Sequence, residues 1–161
     1  MKKTLSLAAA LLAGAAHAHV VLDQPQAAAG SAYKAALRVG HGCDGTPTHT
    51  LRVRLPAGLR GTKPMPKPGW TITLRREPLP QPYESHGRRI SDEVAEISWR
   101  ATSREAWLDD AHVDEFVLRT TLPTAPGALA FKVLQLCERG EHEWTAPLQV
   151  QPAPAPAAHH H

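Results

Sequence analysis

The feature that most limits how this chain can fold is a two-residue alternation of apolar and polar side chains, repeated along most of its length. Leu51, Val53 and Leu55 alternate with Arg52 and Arg54; Trp70, Ile72 and Leu74 alternate with Thr71 and Thr73; Ala95, Ile97 and Trp99 alternate with Glu96 and Ser98. Apolar residues two apart fall on one face of a pleated strand, whereas a helix needs spacings of three and four. Segments 32–39, 113–122, 129–136 and 143–150 are further strand candidates, and in the last of them Trp144, Ala146, Leu148 and Val150 share a parity. The stretches 56–58, 64–69, 78–87 and 123–127 hold Pro and Gly, whose restricted angles and missing donors suit turns and edges. Helical character is confined to a short turn around Ser103–Leu108. About seven short strands between proline-rich loops predict an all-β fold, an antiparallel sandwich of immunoglobulin-like type.

The ends of the chain read differently. Lys2 and Lys3, the apolar run Leu5–Ala13 and the small-x-small triplet Ala16-His17-Ala18 together have the form of a secretory signal peptide, with an apolar stretch too short to span a bilayer. Residues 1–18 are therefore expected to be removed, leaving 143 of the 161 residues and lowering the formal charge from +3 to +1. Such a balance, with cations interleaved among acids, argues against a nucleic-acid partner, which would need clustered Lys and Arg to neutralise phosphates. The expected organisation is one domain over residues 19–150 and a disordered Pro/Ala/His tail over 151–161. The product is expected in the periplasm, touching membrane only through its leader. His159–His161 form an imidazole tract suited to weak metal recruitment.

Export sets the redox reading of Cys43 and Cys137. An even pair in an oxidising compartment, without a C-x-x-C or a second pair, predicts a structural disulfide. Closing a loop between residues 94 apart would contribute about 4 to 5 kcal/mol in the chain-entropy view.

Cleavage after Ala18 would make His19 the first residue, and this changes its chemistry. An α-amino group and an imidazole both lose protons near neutral pH, and the amine and Nδ1 of one residue can chelate one cation. Paired nitrogens suit Cu(II) above the other divalent first-row metals, and a carboxylate is a natural further ligand. His19-Val20-Val21 lacks a histidine in third place, so the square-planar amino-terminal site is excluded; a cut two residues earlier would create it as His17-Ala18-His19. After cleavage Met65 is the one remaining methionine, which disfavours a thioether site for Cu(I).

The start HVVLDQP, the segment GHGCDGTPTHTLRVRLPAG, the run KPMPKPGW, the strand AHVDEFVLR and the stretch FKVLQLCERGEHEWTAP, in that order from His19 to Pro147, resemble the YcnI-like family of exported copper-binding proteins in its proteobacterial form. The resemblance implies an immunoglobulin-like sandwich that binds one Cu(II) per chain in a monohistidine brace. By motif, the brace histidine is His19, the glutamate is Glu115 of Asp114-Glu115-Phe116, and a tryptophan lying against the metal is Trp144 of Glu143-Trp144-Thr145; the paired Cys43 and Cys137 also match. Alternation alone does not say whether Asp114 or Glu115 faces a site, and Trp144 on its own pattern is an ordinary packing residue. The remaining histidines, His41, His49, His86, His112 and His142, are expected to be exposed and without ligands.

The function expected from these readings is periplasmic Cu(II) binding for storage, trafficking or handover to other copper-handling proteins, without turnover. A copper-dependent oxidative enzyme is one alternative, although the oxidative polysaccharide-cleaving enzymes that share a terminal histidine add a second one. An adhesion or assembly sandwich without metal is another. A hydrolase is disfavoured, because no G-x-S-x-G elbow or other nucleophile set is present.

Overall fold

The computed structural model describes residues 20–155. The strands are β1 (Val21–Leu22), β2 (Gln26–Ala28), β3 (Ala32–Val39), β4 (Thr48–Arg54), β5 (Arg60–Pro64), β6 (Trp70–Ser85), β7 (Arg88–Ala101), β8 (Asp114–Thr121), β9 (Gly127–Cys137) and β10 (Glu141–Gln151). They form a four-stranded sheet ordered β1-β3-β8-β5 and a six-stranded sheet ordered β2-β10-β9-β4-β7-β6. The expected helical turn is a single 3-10 turn, Arg104–Ala106. The expected all-β sandwich is the one observed.

The alternation is cashed in directly as burial. Tyr33, Ala35, Leu37 and Val39 of β3 and Phe116, Leu118 and Thr120 of β8 face inward, against Leu51 and Val53, Ile97 and Trp99, Phe131 and Val133, and Ala146, Leu148 and Val150 of the other sheet. Two aromatic contacts tie the sheets at one end: the Phe116 ring stands edge-on to Trp70 at 5.0 Å and to Trp99 at 5.7 Å. The Cys43–Cys137 disulfide closes the same end, with its Cα atoms 5.8 Å apart.

Three strands escape sequence detection. β1 and β2 have two and three residues, too short for alternation to register, and β5 lies partly in the proline-rich run expected to be a loop. β2 also departs from an all-antiparallel plan, pairing in parallel with β10 through Gln149↔Gln26 and Gln151↔Ala28. The stretch 78–87, expected as a turn, is instead the far end of the β6–β7 hairpin, where β6 carries Pro78, Pro80 and Pro82. Because β6 is the edge of its sheet, a missing N–H costs no ladder bond on the open side. The register slips between Pro78↔Asp92 and Tyr83↔Ile90. The true turn is His86-Gly87, both at positive φ (48° and 71°), as a two-residue hairpin requires.

A polar clasp holds this hairpin to the sandwich. Glu93, almost fully buried, accepts a hydrogen bond from the Tyr83 hydroxyl and one from the Gly61 N–H at 2.9 Å, while the Arg60 guanidinium lies 4.2 Å over the Tyr83 ring. Burial, and then the bond to Glu93 and its charge, push the Tyr83 phenol up to about 12. Tyr33, which donates to the Gln24 carbonyl at 2.6 Å, is also raised to about 12, by burial first and the Asp23 charge second.

These two are the only tyrosines of the chain. Their raised values mean that they contribute stability that is present below pH 10 and lost as pH rises toward 12. An absorbance titration at the tyrosinate band should show little ionisation of the folded protein at pH 10, where the urea-unfolded chain is half ionised. Replacing Cys43 and Cys137 together by Ser should lower stability by about 2 to 5 kcal/mol in urea melts.

Candidate functional site

One end of the sandwich collects most of the residues singled out in the sequence. On the four-stranded sheet it is formed by the start of β1, the end of β3 and the start of β8. Val21 pairs with Arg38, and Arg38 pairs with Glu115, so these three residues make one cross-strand row. All three are exposed, on the outer face of the sheet. The next row inward-facing pairs Val39 with Asp114. On the six-stranded sheet the same end is made by the end of β9, where Cys137 pairs with Thr48, and the start of β10. His19 lies outside the described residues; Val20, which follows it, is buried.

The two adjacent acids differ in their partners. The Lys67 ammonium lies 2.6 Å from the Asp114 carboxylate and donates to the Glu115 backbone carbonyl at 3.1 Å. Asp114 also accepts the Glu115 N–H at 2.7 Å. The Glu115 carboxylate itself makes no ion pair or hydrogen bond with the described residues.

Trp144 stands on the inner face of β10, half-buried, and is held by a network anchored on Gln135. Its indole N–H donates to Gln135 Oε1 at 2.8 Å. The Gln135 amide in turn donates to the His41 carbonyl and to Thr48 Oγ1, both at 2.7 Å. Gln135 is 1% exposed, so each of these bonds replaces a water it cannot reach. Two imidazoles flank the indole: His41 edge-on at 6.3 Å and His142 tilted at 5.2 Å. The expectation that His41, His49 and His142 are exposed is thus corrected: His41 and His142 are half-buried against Trp144, because β10 places His142 on the same parity and the loop after β3 folds His41 inward, and His49 is half-buried with its ring 5.2 Å from that of Trp107. His41 Nδ1 lies within bonding distance of the Gly42 carbonyl, so it carries the proton, and a neutral ring then has its lone pair on Nε2.

The loop that aims His41 is closely constrained. Cys43 and Thr46 exchange both backbone bonds, at 3.1 and 2.9 Å, around Asp44-Gly45, both at positive φ. The Gly42 N–H donates to Asp110 at 2.9 Å, and a Cβ on Gly42 would sit 1.8 Å from the Thr46 carbonyl oxygen. No other residue fits there without moving the loop. The GHGCDGT motif is therefore a rigid bracket, pinned by the disulfide.

Glu115 and Trp144 occupy the same end but different sheets, one facing outward and the other inward, and no hydrogen bond or ion pair joins them. Among the described residues no group of three His, Cys, Asp or Glu side chains is placed to hold a metal ion. Among the described residues this end presents the Glu115 carboxylate on the outer face of one sheet and, on the other wall, the His41 and His142 imidazoles beside the Trp144 indole. Gln135 was missed by sequence reading. Its signal was a polar residue on the inward parity of β9, between Val133 and Cys137, where the row is otherwise apolar.

Replacing Gln135 by Leu should lower stability by about 1 to 3 kcal/mol in urea melts, since the Trp144 N–H and the His41 carbonyl lose a buried partner.

No protein of curated function matches the chain. Among solved structures, a protein of unassigned function from Nocardia farcinica with an immunoglobulin-like fold superposes with a TM-score of 0.63 at 19% identity, covering 82% of this chain and 97% of that one. The seventh ScaB type I cohesin from Pseudobacteroides cellulosolvens gives 0.47 at 12% identity, covering 88% and 96%. The first of these likenesses shows the immunoglobulin-like fold. The family described as "Domain of unknown function (DUF1775)" matches residues 19–159, nearly the whole chain after the leader-like segment, and the chain belongs to that family.

Proposed function

We propose that this is an exported Cu(II)-binding protein of YcnI-like type that takes one copper per chain at the sandwich end bearing Glu115 and Trp144, and that it stores, carries or hands over the metal without turnover. The observation that carries the reading is the register Val21↔Arg38↔Glu115. It brings the chain into the sheet two residues after His19, with the Glu115 strand roughly 10 Å across β3.

In this reading the His19 amine and imidazole form the chelate, the unpaired Glu115 carboxylate supplies oxygen, and Trp144 shields the metal and tunes its redox behaviour. Bound copper would contribute the affinity of a divalent d-block ion for nitrogen and oxygen donors. The chain's own residues hold it, keep the indole oriented through Gln135, and keep bulk water from the inner side. Support also comes from the family match, which begins at His19. The same reading includes periplasmic partners that deliver or receive the copper.

Intact-mass and EPR titration of the processed protein test the reading. One equivalent of Cu(II) should bind the chain that begins at His19. His19→Ala, or one extra residue ahead of His19, should weaken binding by more than about a hundredfold, roughly 2.8 kcal/mol. Glu115→Gln should weaken it less, by about tenfold, and Trp144→Phe should abolish most copper quenching while leaving binding in place. Unaltered binding in both His19 variants would overturn the assignment. A melting temperature that copper does not raise would favour a sandwich with no metal role, because only a ligand that prefers the native state stabilises it.

A further inference from the structure

The edges of the two sheets are β1, β5, β2 and β6, and the first three are protected from further pairing. β1 and β2 have two and three residues. β5 has five, broken by a register shift between Arg60 and Lys63 and ended by Pro64. β6 differs, with 16 residues. Its far half is blunted by Pro78, Pro80 and Pro82 and by the shift between Arg75 and Arg76. Short strands, bulges and prolines are the usual means by which a sheet edge is kept from accepting another strand. The near half of β6 has none of them. Trp70-Thr71-Ile72-Thr73-Leu74-Arg75 is rich in aromatic and β-branched residues, and its ladder with β7 runs unbroken from Trp70↔Ala101 to Arg75↔Glu96. On its other side no described strand pairs with it, and no described loop bonds to the backbone of residues 71–75. Leu74, on the parity that buries Trp70, is 43% exposed because no strand lies beyond β6 to cover it.

We infer that this half-strand is an interaction surface whose partner is a second copy of the chain, joined β6 to β6 in antiparallel fashion about a two-fold axis at Thr73. The N–H and C=O groups on the open side are satisfied in full by another strand. The choice of a second copy comes from the side chains. A two-fold axis perpendicular to the sheet sets each residue opposite one of its own parity. With the axis at Thr73, Ile72 faces Leu74 twice and Thr71 faces Arg75 twice, so the exposed Leu74 gains an apolar neighbour and no like charges meet. Such cross-strand pairs are what stabilise a ladder. An axis at Arg75 would oppose two guanidinium groups, and one at Leu74 would carry the ladder onto the irregular residues from Arg76 onward. An axis at Ile72 would set Leu74 against Trp70, whose side chain is already buried in its own core. Arg75 is paired with Glu77 and Glu96, so its charge does not oppose the approach of the second copy. The two six-stranded sheets then become one continuous sheet, and a ladder this short gives a weak, concentration-dependent dimer.

Sedimentation velocity of the processed protein over a dilution series, with EDTA present to keep metal out, tests the inference together with the variants Thr73→Lys and Thr73→Glu. Thr73 is exposed, so neither replacement disturbs the core. The wild type should pass from monomer to dimer as concentration rises. Each variant alone sets like charges face to face at the axis and should weaken the dimer by about fivefold or more. An equimolar mixture of the two variants should recover it as a heterodimer. A wild type that stays monomeric at its highest soluble concentration overturns the inference. So does a dimer indifferent to both charges, which pairs through another surface, and so does a dimer weakened in both variants but not recovered on mixing, which has no Thr73 at its axis. Should the variants fail to fold, amide hydrogen exchange of the wild type decides: amides within residues 71–75 should gain protection as concentration rises, and protection that is independent of concentration overturns the inference.

Discussion

Phe116 is the contact on which the candidate site depends. It comes from the four-stranded sheet and stands edge-on to Trp70 and Trp99 of the six-stranded sheet, in geometries that ring quadrupoles favour. This fixes the inward parity of β8, and with it the outward parity of the residue before it. A slip of one residue would exchange Asp114 and Glu115 and bury the wrong side of the strand. The same ring receives the Lys67 ammonium, so the packing contact that joins the sheets also sets the electrostatics of the two acids.

The opposite wall is organised by a covalent and a polar constraint acting together. The disulfide joins the loop after β3 to the end of β9, and Gln135, two residues before Cys137, binds His41 and Trp144 through its amide. Each constraint reinforces the other, because a buried amide is stabilising only when all its partners are held in place. Gly42 makes the loop possible by allowing backbone to approach backbone. The result is an indole and two imidazoles with limited freedom at the open end of a rigid sandwich, the kind of support on which preorganised binding depends.

Much of the fold is legible in the sequence because a half-buried strand leaves a period-two trace. β3, β4, β7, β8, β9 and β10 all show it; burial follows it closely in β8, β9 and β10 and breaks phase at Ala36 in β3, at Thr50-Leu51 in β4 and at Glu93-Val94 in β7. The far half of β6 does not, since Pro78, Pro80 and Pro82 are tolerated by an open sheet edge, and edge status is a property of the assembled sheet. β1 and β2 are invisible for a related reason: two or three residues become strands only because neighbours offer them unpaired N–H and C=O groups. The histidines were misjudged where tertiary contacts decide their surroundings. His41 and His142 are ordinary loop and strand-start residues until the sandwich end folds them against Trp144.

Local pattern, leader-like composition and cysteine count were enough to determine an all-β sandwich with one disulfide and to single out His19, whereas Glu115 and Trp144 were singled out by the family resemblance alone. Those properties depend on side-chain chemistry and on spacing within single strands. Tertiary structure alone decided that Asp114 is occupied by Lys67 while Glu115 is not, that Gln135 holds Trp144, and that Val21 and Glu115 share a row. Each is a relation between residues far apart in the chain, set by sheet register and loop closure, and no one segment of sequence contains it.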